Sequence, residues 1–194
     1  MKFDIESFIA ECKSAVNGDN PQGVISEIVQ NAVMDYKGVM NAIGEPKRAM
    51  IEKIYVSDDL TIINVVWAPK MTIMPHNHNT WAVIGVYSGR EDNIFWRRIK
   101  NDNNGKIEAA GAQTIAAGEV AKLGKNIVHS VTNPTASFTG AIHVYGGNFF
   151  EIERSEWDPM SLNEGIYDVE KALALFEAEN EIFKHRNAAP AYTS

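Results

Sequence analysis

The chain has 194 residues, 45% hydrophobic and 22% charged, a balance that suits one globular domain with terminal additions. Its formal net charge of −7, with no basic patch of nucleic-acid type, argues against binding DNA or RNA. A lone cysteine, Cys12, excludes an internal disulfide, and an acidic start without a long apolar run predicts no secretion signal and no membrane span, hence a cytoplasmic protein.

Residues 2–16 place Phe3, Ile5, Phe8, Ile9, Cys12 and Val16 at spacings of three and four, which predicts an amphipathic helix. Asn17 to Pro21 breaks it. Residues 22–43 continue the same period through Val24, Ile25, Ile28, Val29, Ala32, Val33, Tyr36, Val39 and Met40, and Gly44-Glu45-Pro46 closes this second helix. Strands are predicted at 51–56 and 60–67. Met71–Met74 leads into a histidine pair, and Val83–Tyr87 continues that strand. Further strands are predicted at 93–99, 107–109, 113–115, 119–122, 127–132 and 138–145, separated by polar Asn, Asp and Gly turns. Short strands with frequent turns and no helices between them point to an antiparallel sandwich or barrel. A third helix is predicted over 162–184, with Ile166, Val169, Ala172, Leu173, Phe176 and Ile182 on one side. The tail 187–194 is expected to fray. The organisation is one domain: a helical cover over 1–45, a β-barrel over 50–150 and a C-terminal helix over 160–187.

Two stretches carry chemistry. In Pro75-His76-Asn77-His78 the histidines are two residues apart, so both side chains leave one face of a strand. Imidazoles so placed form half of a metal site. The second stretch runs from Gly118 through Gly124 and Asn126 to His129 and Asn133, and supplies a third imidazole on a strand.

Together these stretches resemble the two motifs of the cupin superfamily. His76, His78 and Gly89 match the first motif, and Gly118, His129 and Asn133 match the second, across residues 60–147. Gly124 and Asn126 depart from its proline and inner glycine. The resemblance implies a mainly β fold, the cupin double-stranded β-helix or jelly-roll barrel, with N-terminal helices and a C-terminal helix. The position of the family's glutamate ligand is Ala82. That leaves a three-histidine site of His76, His78 and His129, and such a pattern looks like the cysteine dioxygenase-like thiol dioxygenases. His143 and Tyr145 match that group's Ser-x-His-x-Tyr stretch, with Ala141 in place of the serine. The thioether cross-link known in the group cannot form, because Ala82 stands where its cysteine would be.

The resemblance implies Fe(II), with Zn or Ni as alternatives, and a small thiol and O2 as substrates, the thiol going to a sulfinate. Three neutral imidazoles leave a divalent ion its full +2, which suits an anionic thiolate. Tyr145 would hydrogen-bond a substrate group, and His143 would orient Tyr145. A substrate carboxylate calls for an arginine. The strand 51–56 offers only Lys53, so Arg97 and Arg98 are the candidate clamp, since alternation turns one of them inward, the other reading being a pair on the rim and surface. Trp81 is a candidate for the pocket mouth, the other reading being a buried aromatic on a core strand. His185 reads as a solvated helix-end residue. Two other readings stay open. One is a Zn or Ni hydrolase, isomerase or lyase; the other is a non-catalytic cupin that binds a metal or small ligand. The resemblance leaves a homodimer open, and the sequence does not give the oligomeric state.

Overall fold

The computed structural model describes residues 2–188, so the tail 189–194 lies outside the described residues. Eleven strands and four helices are found among the described residues. The helices are α1 (Ile5–Ala15), α2 (Pro21–Met34), α3 (Tyr36–Ile43) and α4 (Val169–Ala188). The strands are β1 (Met50–Val56), β2 (Leu60–Trp67), β3 (Thr72–Asn77), β4 (Ala82–Ser88), β5 (Arg90–Arg98), β6 (Ile107–Ala116), β7 (Val120–Leu123), β8 (Val128–Thr132), β9 (Thr139–Gly146), β10 (Ser155–Trp157) and β11 (Glu164–Ile166). One sheet has the order β1-β2-β9-β4-β7 and the other β11-β10-β3-β8-β5-β6. All pairings are antiparallel. The central orders 2-9-4-7 and 3-8-5-6 are those of an eight-stranded jelly roll. The mainly β fold with helices at both ends is therefore the architecture expected.

Strand parity sorts the apolar residues between two cores. Ile63, Val65, Trp67, Ala82, Ile84, Val86, Ala141 and Tyr145 face the space between the sheets, where Ile73, Ile115 and Val131 meet them. Their neighbours Leu60, Ile62, Val83, Tyr87, Ile142 and Val144 face outward and are covered by Phe8, Cys12, Ile25, Val29, Val33 and Val39 of the N-terminal helices. The helix α2 lies so close to β4 that a Cβ on Gly85 would collide with Val29. Burial pushes the Cys12 thiol up to about 12, so this residue is packing and not a nucleophile.

Four expectations need correction. The second helix is not continuous: Asp35 ends α2 and caps α3, its carboxylate accepting from the N–H groups of Gly38 and Phe3 at 3.1 and 2.7 Å. A short acidic side chain competes for backbone donors and stops the helix. The histidine strand does not run on into 83–87. Asn79 adopts φ 54° and the chain crosses from β3 in one sheet to β4 in the other. The segments 107–109 and 113–115 form one strand, β6, because the small residues between them are taken up by a register shift opposite Phe95 and Trp96. The third helix begins at Val169, after β11. Ala172 and Phe176 are buried, whereas Leu173 and Ile182 are 44% and 40% exposed. Phe176 packs on Trp67 at 5.3 Å and so covers one end of the inter-sheet core. Among the described residues no helix is long and apolar enough to cross a membrane.

Candidate metal centre

The site lies where β3, β8 and β9 face one another across the inter-sheet space. His76 and His129 are directly paired across β3 and β8, and His78 follows just past the end of β3. The turn after His78 is tied down by Asn79, which donates to Glu153 O at 2.8 Å, and by Thr80, which donates to Gly146 O. Asn77 accepts from Ser155 N–H at 2.8 Å and joins β3 to β10. Asn133 donates to Trp67 O, Ala68 O and Ser137 O, and so ties the end of β8 to the end of β2.

The three imidazoles converge. One donor nitrogen from each of His76, His78 and His129 lies within 4.8 Å of the others, and all three residues are buried. The Nε2 atoms of His78 and His129 are 3.1 Å apart. Two ligands on one ion at roughly 2.1 Å and a right angle would be about 3 Å apart. His76 donates Nδ1–H to Met74 O at 3.0 Å, and His129 donates Nδ1–H to Asn93 Oδ1 at 2.7 Å. Each bond leaves Nε2 with its lone pair on the shared point, the usual role of an outer hydrogen bond on a ligating histidine. Burial holds His76 down at about 4, with the Arg154 charge and His143 adding to the effect. Burial likewise holds His78 and His129 well below the usual histidine range. All three are therefore neutral at pH 7, as metal ligation requires. The donor set and its orientation fit a divalent cation.

Beside the triad stands the expected pair. His143 Nδ1 is 2.9 Å from Tyr145 Oη, and the Tyr145 ring meets His78 edge-on at 5.1 Å. Tyr145 also stacks on Phe149 at 3.9 Å, and burial raises its phenol.

The expected arginines are elsewhere. Arg97 is exposed and bonded to Glu108 at 2.7 Å, and Arg98 pairs with Glu164 and stacks on Trp157. Arg97 shares the parity of Asn93 and Phe95, but it sits near the end of β5, where its partner is the exposed Glu108. Lys53 lies over the Phe150 ring. Trp81 packs against Gly146 and the core beneath the N-terminal helices, on the other face of the sheet from the histidines. His185 is exposed, as expected.

Three residues near the site were not anticipated. Asn93 and Glu91 lie inside β5 and are 1% and 0% exposed. Arg154 follows β9 and is 7% exposed. Its guanidinium lies 4.0 Å from the Phe149 ring and 4.3 Å from the Tyr167 ring, and these rings contact His78 and His76. Arg154 donates to Phe149 O at 2.6 Å, but no carboxylate among the described residues pairs with it and its Nε has no partner. The signal available in the sequence was the Arg-x-Glu-x-Asp polarity at the end of the irregular segment, which carries no period.

No protein-family model matches this sequence, and no curated protein matches it. Solved structures resemble its fold. An RmlC-like cupin family protein with a double-stranded β-helix from Methanocaldococcus jannaschii is 11% identical, with 55% of this chain and 86% of that one covered and a TM-score of 0.44. The Bacillus halodurans protein BH2720 is 14% identical, with 75% and 90% covered and a TM-score of 0.47. A Bacillus subtilis oxalate decarboxylase is 14% identical, with 47% and 22% covered and a TM-score of 0.38. At such distances the chemistry of the site is argued from its own residues.

Proposed function

We propose that this chain is a metal-dependent enzyme in which His76, His78 and His129 hold Fe(II), and that it oxidises a small anionic thiol with O2. The observation that carries the reading is the convergence of three buried neutral imidazoles beside the His143–Tyr145 pair. When bound, iron would supply the redox chemistry by which both oxygen atoms join the sulfur of a thiol, giving a sulfinic acid with no other reductant consumed.

The chain's own part is binding and orientation. Tyr145 offers a hydrogen-bonding oxygen, bonded to His143, and its ring packs edge-on against His78 and stacks on Phe149. Arg154 replaces Arg97 and Arg98 as the candidate anion clamp. A buried guanidinium without a carboxylate partner is costly, and an anionic substrate group would offset that cost. The aromatic faces of Phe149 and Tyr167 keep the guanidinium in one plane for such an encounter.

The test is anaerobic loading with Fe(II), then oxygen uptake with cysteine, 3-mercaptopropionate and cysteamine. The expected result is one O2 consumed per sulfinate formed with an anionic thiol. No uptake with any of the three by an iron-loaded sample overturns the dioxygenase reading. Zinc kept through purification, with hydrolytic activity and no oxygen uptake, would establish a zinc cupin instead.

A further inference from the structure

The inter-sheet space holds a second polar set beyond the metal triad: Glu91 on β5, His143 and Tyr145 on β9, and Trp67 at the end of β2. Glu91 is fully buried. Its Oε1 accepts from Trp67 Nε1–H at 2.6 Å, and its Oε2 has no partner. His143 Nε2 lies 3.5 Å from the same Oε1 and has no partner either. Two unpartnered polar groups face each other across the sheets, while the other nitrogen of His143 is committed to Tyr145.

We propose that Glu91 is a positioning residue that holds His143 as the Nε2–H tautomer. A buried imidazole N–H aimed at a carboxylate satisfies both groups. The opposite tautomer sets a lone pair on Nε2 against the carboxylate in an apolar interior, which leaves both acceptors unpaired. The 3.5 Å separation lies at the outer limit of a hydrogen bond. Ala141, which neighbours His143 on β9, has no polar atom for this task. Glu91 performs it from the opposite sheet.

The tautomer sets the polarity of the next bond. With the proton on Nε2, Nδ1 carries a lone pair and receives the hydroxyl hydrogen of Tyr145. The phenol oxygen, its hydrogen given to His143, then keeps lone pairs with which to accept from a donor group of whatever binds beside it. That consequence rests on the proposed function; the tautomer does not.

The test uses full-length protein labelled with ¹⁵N at histidine, treated with chelator, and read by long-range ¹⁵N–¹H correlation of the imidazoles at pH 7.5. His143 is assigned by its loss in His143→Gln. The expected spectrum has a protonated Nε2 and an unprotonated Nδ1 for His143. A proton on Nδ1 in the wild type overturns the proposal, whatever any variant does. In Glu91→Gln the Nε2–H population is expected to fall severalfold, because the carboxylate charge that favours it is gone. A folded Glu91→Gln protein with the wild-type tautomer also overturns it. Loss of metal binding in the wild type would strike the metal reading and leave the tautomer result standing.

Discussion

Asn93 on β5 and His129 on β8 share a 2.7 Å hydrogen bond that turns the free Nε2 of His129 toward His78. Both residues are buried, so no water competes for the bond. Asn93→Ala is expected to weaken divalent metal binding by about 10- to 100-fold, because the imidazole loses its orienting acceptor. Competition titration against a chromophoric chelator measures it. Unchanged affinity would mean that strand packing alone aims the ring.

Arg154 is expected to govern affinity for the anion. Arg154→Met should raise KM for an anionic thiol by roughly 30-fold or more, as loss of one buried charge pair implies. KM for cysteamine, which has no carboxylate, should change little. The melting temperature should not drop, since the folded chain is relieved of an unpaired buried charge. Equal effects on both thiols would remove Arg154 from substrate recognition.

Tyr145→Phe should leave metal content intact and lower kcat by about 10²-fold or more, the usual scale for a hydrogen-bonding group that acts in the transition state. The phenol bonds His143 and not a ligand nitrogen, so the metal triad keeps its geometry. Metal analysis alongside turnover separates the two effects.

The metal-free protein should lose stability in mild acid. The unfolded chain takes up protons on these histidines near 6.5, whereas native His76 does so only near 4, and His78 and His129 stay well below 6.5. Between those values the unfolded state binds more protons, so stability is present above pH 6.5 and falls as pH drops. At pH 5.5 the loss should be about 1 kcal/mol for each histidine. Urea midpoints at pH 7.5 and 5.5 report it. The same comparison on a variant carrying His76→Gln and His129→Gln should show a much smaller difference.

Gly85→Ala tests the close approach of α2 to β4. A methyl group there meets Val29 and Val33, so destabilisation of about 1–3 kcal/mol is expected by chemical denaturation. No change would show that the helix layer shifts freely.

Much of this site could be read without coordinates. His76 and His78 needed only a period of two, whereas His129 was found through the resemblance of Gly118, His129 and Asn133 to the second cupin motif. The fold class followed from short strands bounded by Asn, Gly and Pro turns. Glu91, Asn93 and Arg154 were illegible for one physical reason. A lone polar residue on a strand or loop has no pattern of its own, and its neighbours decide whether it faces water or a core. Arg97 shows the converse: it shares the parity of the buried Asn93, but a strand's end carries its side chain past the core to Glu108.

Local spacing and turn chemistry thus determined most of the strands, the sandwich-or-barrel class and the His76–His78 pair, because those depend on residues close together in the chain; the jelly-roll class and the third imidazole rested on the resemblance to the cupin motifs. Only the packing of two sheets decided which polar groups became partners. Glu91 and His143 are 52 positions apart, and their 3.5 Å approach exists because β5 and β9 face each other from opposite sheets. The unpaired charge of Arg154 arises in the same way, from rings that meet around it only after the chain has closed.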